Sequence, residues 1–268
     1  MKTSKDNMFK IYCSEIYRNR YLLKVLVQRD ILMKYRRSAL GILWSVLTPL
    51  GLAIVVGSVY AVLFGMSPKL LIPLIFASIN PWGFMSGTAD ASTGCFLNAE
   101  GYIKQSSVGT MFFPLRTTLT SFVNLLYSTL TFFVIYLIIQ PNLFGWKMLL
   151  CIPGLIIMFA FTLGLSNITS VVNIFFRDFA PIQSLLLQGL FYATPIIYDA
   201  SILDERGYSI FYKINPFYYM IEVVRRPMLG ETLPGVECYL ISIILAFFVL
   251  TVGVFLQVKY RHKIVFQI

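Results

Sequence analysis

Asp90 is the acidic side chain that falls deepest within a long apolar run of this 268-residue chain. An ionised carboxylate at that depth costs about 2.5–3.5 kcal/mol on insertion scales, so Asp90 either faces a wet cavity or is structural, reaching a headgroup from the nearby end of its run. Ser86, Gly87, Thr88, Ser92, Thr93 and Gly94 surround it, small residues that serve a polar lining or close helix packing equally well. Two further apolar runs carry hydroxyls and amides at helical spacing. One holds Thr117, Thr120, Ser121, Asn124, Ser128 and Thr131; the other holds Thr162, Ser166, Ser170 and Asn173. Uncharged donors and acceptors could replace the hydration of a neutral, hydroxyl-rich solute such as a sugar chain without creating deep charge traps. They could equally be interhelical hydrogen bonds, worth roughly 0.6 kcal/mol each. With Tyr192, the residues Ser86, Asp90, Asn124, Ser128, Ser166 and Ser170 are the candidates for a conduit wall.

Bond-making chemistry has little to work with. The chain contains no GxxxxGK[ST] phosphate loop, no HExxH and no GxSxG. Its single histidine, His262, sits in a basic tail between Arg261 and Lys263, where a solvated juxtamembrane side chain is the expectation. Cys13, Cys95, Cys151 and Cys238 lack metal or disulfide spacing, so neither a metal site nor a disulfide framework is expected. Asp204 and Glu205 are adjacent but lie beside Arg206 in a polar loop. No catalytic residue is assigned.

The elements that must position these side chains follow from composition. With 57% hydrophobic and 13% charged residues and a mean hydropathy of +0.75, the chain is too apolar for a soluble domain. A bilayer core of about 30 Å needs roughly 20 apolar residues per helix, which predicts an all-α polytopic membrane protein with six spans. They fall at 41–66, 70–94, 117–139, 149–175, 181–198 and 239–258. The basic N-terminal region is long and lacks a small-residue cleavage site, so it is expected to be retained, on the cytoplasmic side. That topology places ten Lys and Arg in 1–40, two in 95–116, Arg177 at a turn and three in the tail, hence 16 of the 22 on one side. The bias satisfies the positive-inside rule and accounts for the net charge of +10 without nucleic acid.

Residues 7–36 contain no Pro or Gly and place Met8, Tyr12, Ile16, Leu23 and Val27 on one side. They predict an amphipathic helix lying along the inner leaflet or packed on a partner. The segment 95–116 is too polar to cross, yet Phe96, Tyr102, Phe112 and Phe113 would dock a short helix. NIFFRDFAP, at 173–181, predicts a tight turn with an Arg177–Asp178 ion pair and Pro181 in the first turn of the next helix. The outer loop, 199–238, interleaves aromatics with charge and predicts short helices dipping part-way into the outer leaflet, or a small folded cap.

Three stretches carry a resemblance. RDILMKYRRSALGILWSVLTPL, from Arg29 to Leu50, resembles the start of the first span in permease subunits of ABC-type polysaccharide exporters, through Arg29, Asp30, Tyr35, Arg36, Ser38, Leu40, Gly41, Trp44 and Pro49. NAEGYIKQ (98–105) is similar to the internal coupling segment of O-antigen exporters, and NPFYYMIEVVRRPMLG (215–230) to their outer loop. SSVGTMFFPLR departs from the pattern, which has a more regular Leu-Pro turn there.

The resemblance covers the whole chain as one permease domain. It implies a homodimer working with two copies of a separate ATPase that uses ATP and Mg2+, while this chain binds no cofactor. The implied substrate is an undecaprenyl-diphosphate-linked polysaccharide, O-antigen first, with capsule or teichoic-acid precursors as neighbours. The implied location is the bacterial inner membrane, with both termini cytoplasmic. Asn98, Glu100, Tyr102, Lys104, Arg177 and Asp178 would meet the ATPases. Arg29, Lys34, Arg36 and Arg37 stand at headgroup level, where they anchor topology or bind a lipid diphosphate, Arg in bidentate fashion. Trp44 would begin the conduit wall, and Tyr218, Tyr219, Glu222, Arg225 and Arg226 would shape the outer exit. An ion-coupled secondary transporter and a membrane-embedded transferase are the alternatives from other classes.

Overall fold

The computed structural model of the protein describes residues 8–36, 38, 40–105, 108–230 and 232–268. Arg37 therefore lies outside the described residues. Among these residues the structure is helical, with no strand.

The apolar runs fold as five helices long and apolar enough to cross a membrane. They are α3 (Trp44–Phe64), α4 (Pro68–Thr93), α6 (Phe112–Ile139), α7 (Cys151–Phe175) and α12 (Val236–Gln267). The expected sixth span, 181–198, is instead a 15-residue helix, α8 (Phe179–Ala193). At about 1.5 Å per residue it reaches roughly 22 Å, short of a bilayer core of about 30 Å. Pro195 explains its end. A residue before proline is driven from helical to extended backbone, and Thr194 has ψ 134°. The tail beyond 258 is a continuation of α12, whose Ile264 is fully buried.

The N-terminal segment forms two helices where one was expected: α1 (Met8–Arg18) and α2 (Arg20–Tyr35), interrupted at Asn19. Asn19 turns its amide back to the Glu15 carbonyl at 3.0 Å, competing with helix continuation. The apolar side is seated, with Tyr12, Leu23, Leu26 and Val27 buried. The α2 residues pack with Phe96, Ile103 and Phe112 around the short helix α5 (Glu100–Gln105). One end of the bundle thus carries α1, α2 and α5. At the other end, α9 (Ser201–Glu205), α10 (Ile210–Lys213) and α11 (Pro216–Met228) occupy the 199–238 segment.

The tightest pairing is α7 against α12. Gly164 faces the Leu250 backbone so closely that an added Cβ would stand 2.5 Å from its nitrogen, and Gly253 faces the Gly164 carbonyl. Small residues let membrane helices approach to backbone contact, where dispersion and weak hydrogen bonds take over from the hydrophobic effect. α4 sits at the centre, packed on α3, α6, α7, α8 and α11.

Candidate functional site: two grooves on one central helix

Two faces of α4 open onto grooves. Asn80, Gly83, Phe84, Gly87 and Ala91 share one, at helical spacing, and Trp82, Ser86 and Asp90 share another. Each face lines a separate groove.

The first groove, of about 440 Å³, lies between α3, α4 and α6. α3 and α4 press together away from the α5 end, where a Cβ on Gly57 would meet Ile72 at 2.7 Å. Toward the α5 end the groove opens between them, lined by Ser45 and Thr48 of α3, Ser121, Asn124 and Ser128 of α6, and Lys34 of α2. The polar stripe expected on the third span is therefore divided. Thr117, Thr120 and Thr131 bond back to carbonyls of their own helix, as does the Asn124 amide, while Ser121, Asn124 and Ser128 line the groove.

The second groove, of about 420 Å³, lies between α4 and α8 and brings together Ser86, Asp90 and Tyr192 with Ser184 and Gln188. Asp90 accepts hydrogen bonds from Gln183 Nε2 at 3.1 Å and Ser184 Oγ at 3.5 Å.

Ser166 and Ser170 line neither groove. Both are fully buried. Ser166 shares a 2.6 Å bond with Ser92 and lies 3.1 Å from the Pro114 carbonyl, and Ser170 accepts from Gln257 at 3.0 Å. Farther along the same face Asn173 donates to the Thr93 carbonyl and accepts from the Ala180 N–H. This stripe on α7 stitches α4, α6, α8 and α12 together. Gln183, which bonds Asp90, acts at such a junction without standing out in the sequence, because its partner is far away along the chain.

At the α5 end, Lys104 pairs with Glu100 at 2.6 Å, one turn apart and largely exposed. Arg29 donates to the Tyr102 hydroxyl at 2.5 Å, joining α2 to α5. Asp30 receives a bidentate pair from Arg116 at 2.6 and 2.7 Å. Asn98, beside them, lines a small cleft with Asp30 and Arg116. Arg36 is exposed at the end of α2, and the Trp44 indole donates to Ser38 at 3.0 Å. The expected Arg177–Asp178 ion pair does not form. Both are exposed at the α7–α8 turn.

At the opposite end, α11 begins with an Asn215 cap whose oxygen accepts from Phe217 N and whose amide donates to Thr194. Phe217 packs on Trp82 and on Phe161, ten residues into α7, while Val223 lies against Gly154, nearer the start of α7. Glu222 and Arg225 are 2% and 3% exposed, yet fully engaged. The Glu222 carboxylate holds Arg225 on one oxygen and Arg226 on the other. Arg225 also donates to the Pro195 carbonyl at 2.7 Å and to Ser78 of α4 at 3.2 Å. The Tyr218 ring meets Tyr212 at a tilt and Tyr219 edge to face. Burial and the Glu222 charge push its hydroxyl well above the ordinary tyrosine range.

Residues 21–229 match the family described as ABC-2 type transporter. The chain is 30% identical over 251 residues to an O-antigen export system permease protein RfbA of Klebsiella pneumoniae, covering 90% of this chain and 93% of that one. A protein of the same name from Myxococcus xanthus is 28% identical over 228 residues, covering 83% and 86%. With a family match across most of its length and relatives that align nearly end to end, this multi-pass membrane chain belongs to the ABC-2 type transporter family.

Proposed function

We propose that the chain is the transmembrane subunit of an ATP-driven exporter that moves an undecaprenyl-diphosphate-linked polysaccharide, O-antigen in the first place, across the inner membrane. The observation that carries this reading is the near end-to-end similarity to O-antigen export permeases. Two grooves on α4 support it, each placing several uncharged hydroxyls or amides among apolar side chains, groups that could meet a hydroxyl-rich solute. Two copies of the chain assemble with two copies of a separate ATPase, which binds ATP and Mg2+. The α5 end, with Glu100, Tyr102 and Lys104 exposed or half-exposed, is the docking surface and faces the cytoplasm with both termini. α11 rises beside α7 as a re-entrant helix at the outer end.

The test is ATP-dependent movement of a lipid-linked glycan in proteoliposomes holding the chain with its ATPase. Export requires ATP and persists when ion gradients are collapsed by ionophores. Export that ignores ATP and stops with the ionophore identifies an ion-coupled transporter and refutes the reading.

A further inference from the structure

The groove between α3, α4 and α6 has three properties that together describe a ligand. First, it holds buried polar atoms with no partner. Asn80 is 8% exposed and Ser128 3%, and neither the Asn80 amide nitrogen nor the Ser128 hydroxyl finds a hydrogen bond among the described residues. A buried amide or hydroxyl left in that state costs about 1–3 kcal/mol, which a bound polar group would recover. Second, its α4 wall is built from residues without bulk. A Cβ at Gly83 or at Gly87 would meet nothing within 4 Å, so the space beside each is open. Third, it carries polar groups deep along α4. From Ala91 to Asn80 it follows eleven residues of α4, about 16 Å at 1.5 Å per residue, or half of a bilayer core. Lys34 stands at the mouth.

We propose that this groove is a saccharide-binding site within a single protomer, taking sugar residues of the lipid-linked glycan with their hydroxyls on Asn80 and Ser128 and the phosphate ester at Lys34. The assignment rests on the transport reading given above. It is distinct from the groove holding Asp90, which opens on another face of α4.

The depth decides between a glycan and an ordinary anionic phospholipid. A phospholipid with its phosphate at Lys34 would lay acyl chain against Asn80 and Ser128, leaving both unpaired. A sugar presents donors and acceptors along its whole length and pairs them. The volume, about 440 Å³, falls in the range of about 300–1,000 Å³ typical of small-molecule sites.

The glycines provide the test, because a side chain can fill the groove without meeting the fold. The complex of the full chain with its ATPase, purified in detergent, is titrated in native mass spectrometry with an undecaprenyl diphosphate bearing a tetrasaccharide, and separately with phosphatidylglycerol. Gly83→Leu and Gly87→Leu lower glycolipid retention by about ten-fold or more while changing phosphatidylglycerol retention by less than about two-fold. Asn80→Leu with Ser128→Ala does the same without adding bulk. Gly51→Leu, an equally open glycine on α3 outside the groove, leaves both unchanged. Wild-type retention that the filled variants keep overturns the site and leaves the transport reading intact. Parallel loss of phosphatidylglycerol assigns the groove to phosphate headgroups in general and overturns the saccharide assignment. Absence of glycolipid retention in the wild type, together with absence of export, refutes the transport reading itself.

Discussion

Arg225 offers the sharpest perturbation. Its guanidinium ties three segments that are distant in sequence: Glu222 on α11, the Pro195 carbonyl after α8, and Ser78 on α4. Arg225→Met keeps much of the volume and removes the charge. Breaking a buried ion pair from one side costs about 3–5 kcal/mol, and Arg226 remains on the other Glu222 oxygen, so the lower end, about 3 kcal/mol, applies. At about 1.4 kcal/mol per decade that is roughly a hundred-fold in the equilibrium for lifting α11 from the bundle. Cys151 reports that event, since it is buried in the same cluster as Met220, Val223 and Val224. In a Cys13→Ser background, maleimide labelling of Cys151 is expected to accelerate about a hundred-fold in Arg225→Met, because labelling proceeds through local opening. Cys95, buried among α2, α5 and α6 residues, serves as the control and stays protected. A rise below about three-fold at Cys151 refutes the latch, and equal acceleration at Cys95 shows global unfolding in its place. Glu222→Leu with Arg225→Met is expected to cost less than the sum of the single changes, since no buried charge is stranded.

Three further outcomes are expected. Gly164→Ala forces a Cβ to 2.5 Å from the Leu250 nitrogen at the α7–α12 crossing, and overpacking of about 1–3 kcal/mol lowers the unfolding temperature in a thermal scan, with an unchanged midpoint arguing against backbone contact there. Arg116→Ala strips Asp30 of its bidentate partner and loosens α2 by about 1–2 kcal/mol, read as roughly ten-fold faster hydrogen exchange over 20–35, with slower gains for Arg116→Lys. Burial raises the Glu15 carboxyl above its ordinary range, partly offset by the Met111 backbone N–H, so its protonated form favours docked α1. That contribution is complete below the unfolded value near pH 4.5 and is lost as pH rises through the higher folded value. The exchange protection factor over 8–18, with the intrinsic pH dependence divided out, therefore falls with pH in the wild type and stays constant in Glu15→Gln.

The spans were legible where a single physical demand dominated. About 20 apolar residues must bury their backbone polar groups in a helix, and α3, α4, α6, α7 and α12 each lie on an expected run. The exceptions are ends set by tertiary partners. α12 runs on through the basic tail because Ile264 finds a buried seat, and α8 stops early because Thr194 precedes a proline. The polar stripes were visible but their roles were not. Ser128 and Ser166 have the same spacing logic, yet Ser166 meets Ser92 across a close helix contact while Ser128 faces a space left open by Gly83 and Gly87. Periodicity reports which side a residue is on, and only packing reports what is opposite. The charged residues of α11 were legible as an outer cluster, but the buried seat of Arg225 depends on Pro195 and Ser78, 30 and 147 positions away.

The low hydropathy of α4 has the same origin. Pro73 and Pro81 interrupt its hydrogen bonds, and two of its faces are polar. A proline nitrogen cannot bond the carbonyl four residues back, and in lipid that carbonyl would stay unpaired. Beside Pro73 the freed Lys69 carbonyl instead lies 3.4 Å from the Gln140 amide beyond α6. Such a helix is tolerable only where protein surrounds it, which is where α4 sits. At the α5 end Asn173 bonds both the Thr93 carbonyl and the Ala180 N–H, so the end of α4 and the start of α8 are held to the same residue of α7. Asp90 adds two bonds from α4 to α8 just above. A displacement delivered through α5 therefore moves α4 and α8 together and leaves the groove between them unchanged. α3 presses on α4 toward the far end, where a Cβ on Gly57 would meet Ile72. The groove that holds Asn80 and Ser128 lies on the α5 side of that contact, on a face of α4 that the Asn173 and Asp90 bonds do not occupy.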